Sequence, residues 1–273
     1  MDGECATRFP ILMIHGTGVR DWRHVGYWGR IPAALRARGA VVYHGGQDSW
    51  ATVEANAAAL KARVEAILAE TGSEKVHLIA HSKGGLDARY MVSSLGMAPH
   101  VASLSTVSTP HHGSRTMDAL YRLPRWMFRL DGFFVDLWCR LLGDRDPDFC
   151  AVCGQFTTEW AERFNAANPD ADGVLYRSYR GVMSRSTSDV FLAWQHFVIQ
   201  RVEGENDGLV TLASAQWTNF QGPWRGPGNR GVSHLDEVDF RRRPLRGGEE
   251  PGRVREMTGP YIQLVSELKQ LGL

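Results

Sequence analysis

Apolar positions in the first 110 residues fall into short runs that end at Gly or a polar turn, separated by longer stretches with helical spacing. "PILMIHG", "AVVYHGG", "KVHLIA" and "VASLSTVSTP" read as buried strands. Between them, "YWGRIPAALRARG" reads as a helix with Pro32 in its first turn and Gly39 past its end. "SWATVEANAAALKARVEAILAETG" is a long Ala-dense helix, with Ser49 as a candidate cap and Gly72 as its stop. "GGLDARYMVSSLG" is a third helix. Strands alternating with helices of this length predict βαβ units and a mostly parallel sheet with helices on both faces.

The alternation breaks after Pro110. Residues 114–153 are rich in Trp, Phe, Met, Leu and Arg, as in "YRLPRWMFRLDGFFVDLWCRLL", and the segment begins where a loop above the sheet is expected. "TTEWAERFNAANPD" predicts a short helix. "GVLYRSYRGV" and "HFVIQRV" read as further strands. "PYIQLVSELKQLGL" closes the chain as an amphipathic helix, with Ile262, Val265, Leu268 and Leu271 on one face. No internal repeat or linker divides the chain, so residues 1–273 read as a single domain with a helical lid or cap inserted at about 114–153.

Composition narrows the function. The formal net charge is +1 with 22% charged residues, which gives no global field to attract nucleic acid or an anionic membrane. No apolar run approaches the roughly 20 residues of a membrane helix. The opening "MDGECATRFP" has neither a basic nor an apolar segment of the kind that directs secretion. Cys150 and Cys153 have the spacing of a redox or zinc pair. They lack the strand-to-helix context of the first and the second ligand pair of the second. Reduced thiols, a bridge involving one of Cys5, Cys139, Cys150 and Cys153, and a metal remain as readings, in that order.

The chemistry concentrates in "KVHLIAHSKGGLDARY". A strand, then x-His-Ser-x-Gly, then a helix is the setting of a nucleophile elbow. The turn is tight enough that the residues two before and two after the serine must be small, and here they are Ala80 and Gly84. The helix N-terminus behind Ser82 offers free N–H groups and the positive end of a dipole to an oxyanion. A serine of this type needs a base, and the base an orienting acid, in the chain order Ser, acid, His. Asp207 in "ENDGLV" and His234 in "GVSHLDEVDF" meet that order. His111 and His112 are rival bases, read as lining the pocket rim because they precede every later acid. Thr17 N–H, after "PILMIHG", and Lys83 N–H are the expected oxyanion donors.

Together these stretches resemble the bacterial true lipases of the Pseudomonas/Burkholderia type, in the α/β-hydrolase superfamily. "ILMIHGTG" is similar to their oxyanion strand and "YWGRIPAALRARGAVVY" to their first helix and next strand. "KVHLIAHSKGGLDARY" is similar to the elbow, "VSTPHHGS" to the strand after it, and "ENDGLV" and "SHLDEV" to their acid and histidine motifs. The likeness runs in order over nearly the whole chain. It implies an α/β-hydrolase fold, the triad Ser82, Asp207 and His234, and ester cleavage on acylglycerols. It also implies one structural calcium ion bracing the histidine loop. The expected ligands are the side chains of Asp236 and Asp189 and the carbonyls of Phe240 and Pro244; no organic cofactor is implied. Two features depart from the family: Ala80 replaces the usual first glycine, and Arg241-Arg242-Arg243 lies inside the calcium loop, where cations oppose a dication. The family is mostly secreted, whereas this chain shows no signal peptide, so a cytoplasmic location stands beside export.

The reading is therefore a triacylglycerol lipase or carboxylesterase that forms an acyl-enzyme on Ser82. Trp126, Phe133, Phe134 and Trp138 of the insert would meet a lipid–water interface. The same triad would serve an acyltransferase, and a non-catalytic binding protein retaining the fold is a third reading, against which the complete triad stands.

Overall fold

The computed structural model describes residues 3–20, 26–247 and 249–273. Six strands form one sheet in the order β2-β1-β3-β4-β5-β6, every neighbouring pair parallel. They are β1 Ile11–Ile14, β2 Val42–His44, β3 Val76–His81, β4 Val101–Val107, β5 Leu175–Gly181 and β6 Phe220–Trp224. The helices between the early strands are α1 Ile31–Arg36, α2 Val53–Thr71 and α3 Lys83–Ser93.

Both faces of the sheet are covered, and the strand period of two sorts the core. Ile11 and Met13 pack on one face with Trp28, Ile31, Leu35, Tyr261 and Val265. Leu12 and Ile14 pack on the other with Leu60, Val64, Met91 and Leu104. The first face is closed by α1 and by the last helix, α9 Thr258–Gln270. On that last helix the buried positions are Tyr261, Leu264, Val265 and Leu268, while Leu271 is exposed. The inward face is thus turned from the predicted one, because Tyr261 packs edge-on against both Trp28 and Trp224.

Two further expectations are corrected, and one strand went unread. The cap of α2 is Thr52, whose side chain accepts from Ala55 N–H, rather than Ser49. Ser49 instead gives its N–H and Oγ–H to the Asp144 carboxylate. The run "HFVIQRV" is not a strand but most of helix α8, Ala193–Val202, in which His196 and Ile199 point inward. The apolar run is too short to separate the two periods, and tertiary packing decides it. Finally, β6 was not predicted: "FQGPW" carries Gly222 and Pro223 and survives as the sheet edge, where a missing N–H is tolerated.

The region after β4 holds α4 Arg115–Tyr121, α5 Arg125–Leu141, α6 Phe149–Gly154 and α7 Thr158–Ala167. Helix α5 lies against α6, and α4 against both α6 and α8. Close approach of α5 to α6 runs through Gly132, where a Cβ would stand 2.8 Å from Cys150 Sγ. All four cysteines are free thiols. Among the described residues, no helix is long and apolar enough to cross a membrane.

Candidate active site

Ser82 joins β3 directly to α3, with φ 54° and ψ −133°. This left-handed backbone is costly for a residue with a Cβ and persists only where its surroundings enforce it. Two packed glycines do so. A Cβ on Gly84 would lie 2.4 Å from His15 O, and one on Gly16 would lie 2.7 Å from Ser82 Cβ. The elbow and the loop after β1 are therefore locked together. Ala80, paired with Ile14 and Thr106 in the sheet, is fully buried, so the methyl in place of a glycine is accommodated.

The Gly16 contact brings Thr17 next to Ser82. Neither Thr17 N–H nor Lys83 N–H has a hydrogen-bond partner among the described residues, so both expected oxyanion donors are free. The Lys83 side chain plays no part there; it is buried and donates to Asp87 Oδ1 at 2.7 Å.

Asp207 and His234, 27 residues apart, are brought together by the loops after α8 and β6. Asp207 Oδ1 accepts from the N–H groups of Leu209 (2.9 Å) and Val210 (2.8 Å), a turn that fixes the carboxylate. Its Oδ2 is left to accept from His234 Nδ1–H at 2.8 Å, which leaves Nε2 as the basic nitrogen. Burial opposes ionisation of Asp207, but the His234 contact and the two backbone donors outweigh it and hold its pKa below the ordinary value.

A second buried network lies beneath His234 and was not foreseen from sequence. The rings of His81 and His234 are 4.3 Å apart. His81 Nδ1 is 2.7 Å from Tyr27 Oη and its Nε2 is 2.9 Å from Glu237 Oε2. Glu237 Oε1 accepts from Ser108 Oγ at 2.7 Å and from Gly181 N–H. Burial, reinforced by the nearby Asp207 charge, pushes Glu237 well above the usual carboxylate range. Burial, reinforced by His234, pushes His81 well below the usual histidine range. Both shifts favour the neutral forms of the His81–Glu237 pair. Glu237 Oε2 lies 3.7 Å from His234 Nδ1, beyond hydrogen-bond reach, whereas Asp207 Oδ2 is bonded to that nitrogen at 2.8 Å. His81, His234 and Glu237 also offer three ligand atoms within 4.8 Å of one another. The His81–Glu237 separation of 2.9 Å is that of a direct hydrogen bond and leaves no room for an ion between them.

His111 does not line a pocket rim. It is fully buried, bonded to Thr106 and Arg89, and stacked on Trp217. His112 sits beside it, with Nε2 3.2 Å from Gln216 O. Neither faces the serine through any hydrogen bond.

The structure brings Asp189 and Asp236 together, as the resemblance implied, but a guanidinium lies between them. Arg241 bonds Asp189 Oδ1 at 2.6 Å and Asp236 Oδ1 at 2.9 Å. Arg230 bonds both oxygens of Asp236, at 2.7 and 3.0 Å. Phe240 immediately precedes Arg241, and Pro244 is exposed on the wall of a neighbouring cavity.

Above the sheet, α5 turns Trp126, Phe133, Phe134 and Trp138 outward, each 61–67% exposed. With Leu130, Leu137 and Leu141 they form one continuous helical stripe. Its far end is tied to the loops beside β1 and β2. The Asp144 carboxylate accepts from Ser49 and Trp50, Arg145 and Asp146 N–H donate to Asp48, and Arg20 reaches Asp48, Asp144 and the Gly143 carbonyl. A second exposed apolar group, Val190, Phe191, Trp194 and Phe197, lies on and just before α8.

A parallel sheet with a serine in the tight turn between its third strand and the next helix is the architecture of the α/β-hydrolase fold. Known proteins agree. A triacylglycerol lipase of Pseudarthrobacter phenanthrenivorans is 38% identical over 87% of this chain and 91% of its own length. One of Burkholderia plantarii is 38% identical over 87% of this chain and 81% of its own. Triacylglycerol lipase 2 of Saccharomyces cerevisiae is 30% identical over 79% of this chain, which spans 63% of that longer relative. No protein-family model matches. The crystal structure of Bacillus licheniformis lipase BlEst2 in mature form has the same fold, with a TM-score of 0.65 and 19% identity over 86% of this chain and 88% of that one. The chain belongs to the triacylglycerol lipase family and is a carboxylic ester hydrolase.

Proposed function

We propose that the chain cleaves acylglycerol esters at a lipid–water surface through an acyl-enzyme on Ser82. Ser82 Oγ attacks the ester carbonyl while His234 Nε2 takes its proton. The negative oxygen develops against Thr17 N–H and Lys83 N–H, which are fixed before the reaction and so need no reorganisation. His234 returns the proton to the leaving alcohol, then activates water to release the acid. Asp207 holds the imidazole in the required tautomer and stabilises its protonated form. No step draws on an organic cofactor.

The observation that carries this reading is the hydrogen bond from His234 Nδ1–H to Asp207 Oδ2, with the His234 ring 4.3 Å from that of His81, the residue before a serine held at φ 54°. The apolar stripe of α5 supports the choice of lipid: a core helix would hide such a face, and here it is exposed. Residues 114–153 act as the lid whose stripe meets the lipid. The test is a p-nitrophenyl ester panel from short to long acyl chains, with an emulsified triacylglycerol alongside. Wild type should turn over long-chain and emulsified esters, and Ser82→Ala should lose all turnover while keeping its melting temperature. Activity confined to short soluble esters would contradict the lipid assignment.

A further inference from the structure

We infer that Arg241 does in this enzyme what a divalent cation would do in a loop of this kind: it ties Asp189 to Asp236 and so positions His234, making calcium unnecessary. The inference rests on His234 being the catalytic base.

Ser233, the residue before His234, is clamped between the two aspartates. Its Oγ–H donates to Asp189 Oδ2 at 2.6 Å, and its N–H donates to Asp236 Oδ2 at 3.0 Å. Asp236 N–H returns a bond to Ser233 Oγ at 3.2 Å. The two carboxylates come from distant parts of the chain, 47 positions apart, one before α8 and one after His234. Without a positive charge between them they would repel at this separation. The guanidinium supplies that charge. Its two terminal nitrogens, held in one plane, reach one oxygen of each aspartate, a geometry that an ammonium cannot reproduce.

The residues do not fit a calcium ion as they stand. Calcium takes six to eight oxygens at about 2.3–2.6 Å. All four carboxylate oxygens are already engaged. Asp189 Oδ1 accepts from Arg241 and from Phe191 N–H, and Asp189 Oδ2 from Ser233. Asp236 Oδ1 accepts from Arg241 and Arg230, and Asp236 Oδ2 from Arg230 and Ser233 N–H. Two carboxylates face two guanidiniums, so the charge is balanced with none left for a dication. The adjoining cavity of about 590 Å³ adds Arg185, Arg243 and Arg246 to its wall. An approaching calcium ion meets a cationic surface.

Arg241 is thus a positioning residue, acting on His234 through Asp189, Asp236 and Ser233. The experiment compares wild type, Arg241→Gln and Arg241→Lys in chelator and in millimolar calcium, reading melting temperature, kcat and KM on a soluble short-chain ester. A terbium luminescence titration of wild type reads metal binding directly. Wild type should show no change in melting or kcat between chelator and calcium, and no saturable terbium site. Arg241→Gln should lose roughly 10- to 100-fold in kcat with little change in KM, as expected for a base displaced by a fraction of an ångström. Low millimolar guanidinium should restore part of that loss in Arg241→Gln and do nothing for wild type. Arg241→Lys should fall between the two.

Chelation that lowers the melting temperature or kcat of wild type would overturn the inference, as would a saturable terbium site or an Arg241→Gln enzyme with unchanged kcat. If Arg241→Gln does not fold, the wild-type chelation and terbium arms still decide. The melting and terbium readings do not depend on turnover, so failure of the Ser82 mechanism would be recognised separately, as activity persisting in Ser82→Ala.

Discussion

His234 and Asp207 are joined twice: the ring Nδ1–H and the backbone N–H of His234 donate to Oδ2 and to the main-chain oxygen of Asp207, each at 2.8 Å. The imidazole is therefore fixed both in rotation and in position. Because the other carboxylate oxygen is occupied by Leu209 and Val210 N–H, the aspartate cannot turn away. Asp207→Asn keeps the shape but presents the wrong hydrogen-bond pattern to Nδ1, and kcat should fall by roughly 10⁴.

Glu237 is the contrasting carboxyl. Burial and the Asp207 charge push its pKa up and favour the neutral form, so its amide counterpart should replace it closely. In Glu237→Gln the amide oxygen accepts from Ser108 and Gly181, and the NH₂ donates to His81 Nε2. Steady-state kinetics should show kcat within about tenfold of wild type, the scale of a single exchanged hydrogen bond. A loss as deep as that of Asp207→Asn would mean that Glu237 is ionised and serves as the counter-charge.

Acid should destabilise the fold before its carboxylates titrate. Burial lowers the pKa of His77 from 6.5 to about 4. Between those values only the unfolded chain takes up the proton, so stability falls as pH drops from about 6.5 to about 4 and this contribution is level outside that window. The linked loss is on the order of 3 kcal/mol. His81 and His111, both lowered mainly by burial, act in the same direction. Urea unfolding of wild type and His77→Gln at pH 7 and pH 4.5 should show a smaller drop in the variant. Equal drops in the two proteins would refute the assignment to His77.

The α5 stripe gives a prediction about interfaces. Phe133 and Phe134 are exposed and touch each other edge to face, 5.5 Å apart. Transfer of such side chains to lipid is worth roughly 1.5–3 kcal/mol each. Phe133→Ser/Phe134→Ser should remove the rise in rate that accompanies emulsion of a long-chain ester, and spare soluble esters and the melting temperature. A variant that melts several degrees lower and loses both activities would show these rings to be packed in the core.

The sequence was most legible where local rules act. The apolar runs of β1, β3 and β4, with Ala80 and Gly84 around Ser82, marked the sheet and the elbow because a buried parallel strand and a tight turn each leave a local signature. Legibility failed where packing decides. "HFVIQRV" carries strand-forming residues but lies on a helix because His196 and Ile199 have inward partners. The His81–Glu237 contact spans 156 positions, and only the place of His81 inside the elbow and of Glu237 three after His234 hinted at it. The Arg241-Arg242-Arg243 run signalled a conflict with calcium. Which arginine reaches the aspartates depends on the turn at Asp239 and Arg242, both at positive φ.

The central claim is that Ser82 is the nucleophile. A fluorophosphonate ester forms a stable adduct with an activated serine, and intact-mass and peptide mass spectrometry locate it. Wild type should gain one adduct, on the peptide carrying Ser82, at a rate that falls together with kcat in Asp207→Asn. Ser82→Ala should gain none. Labelling of a different serine, or of Ser82→Ala at the wild-type rate, would contradict the account.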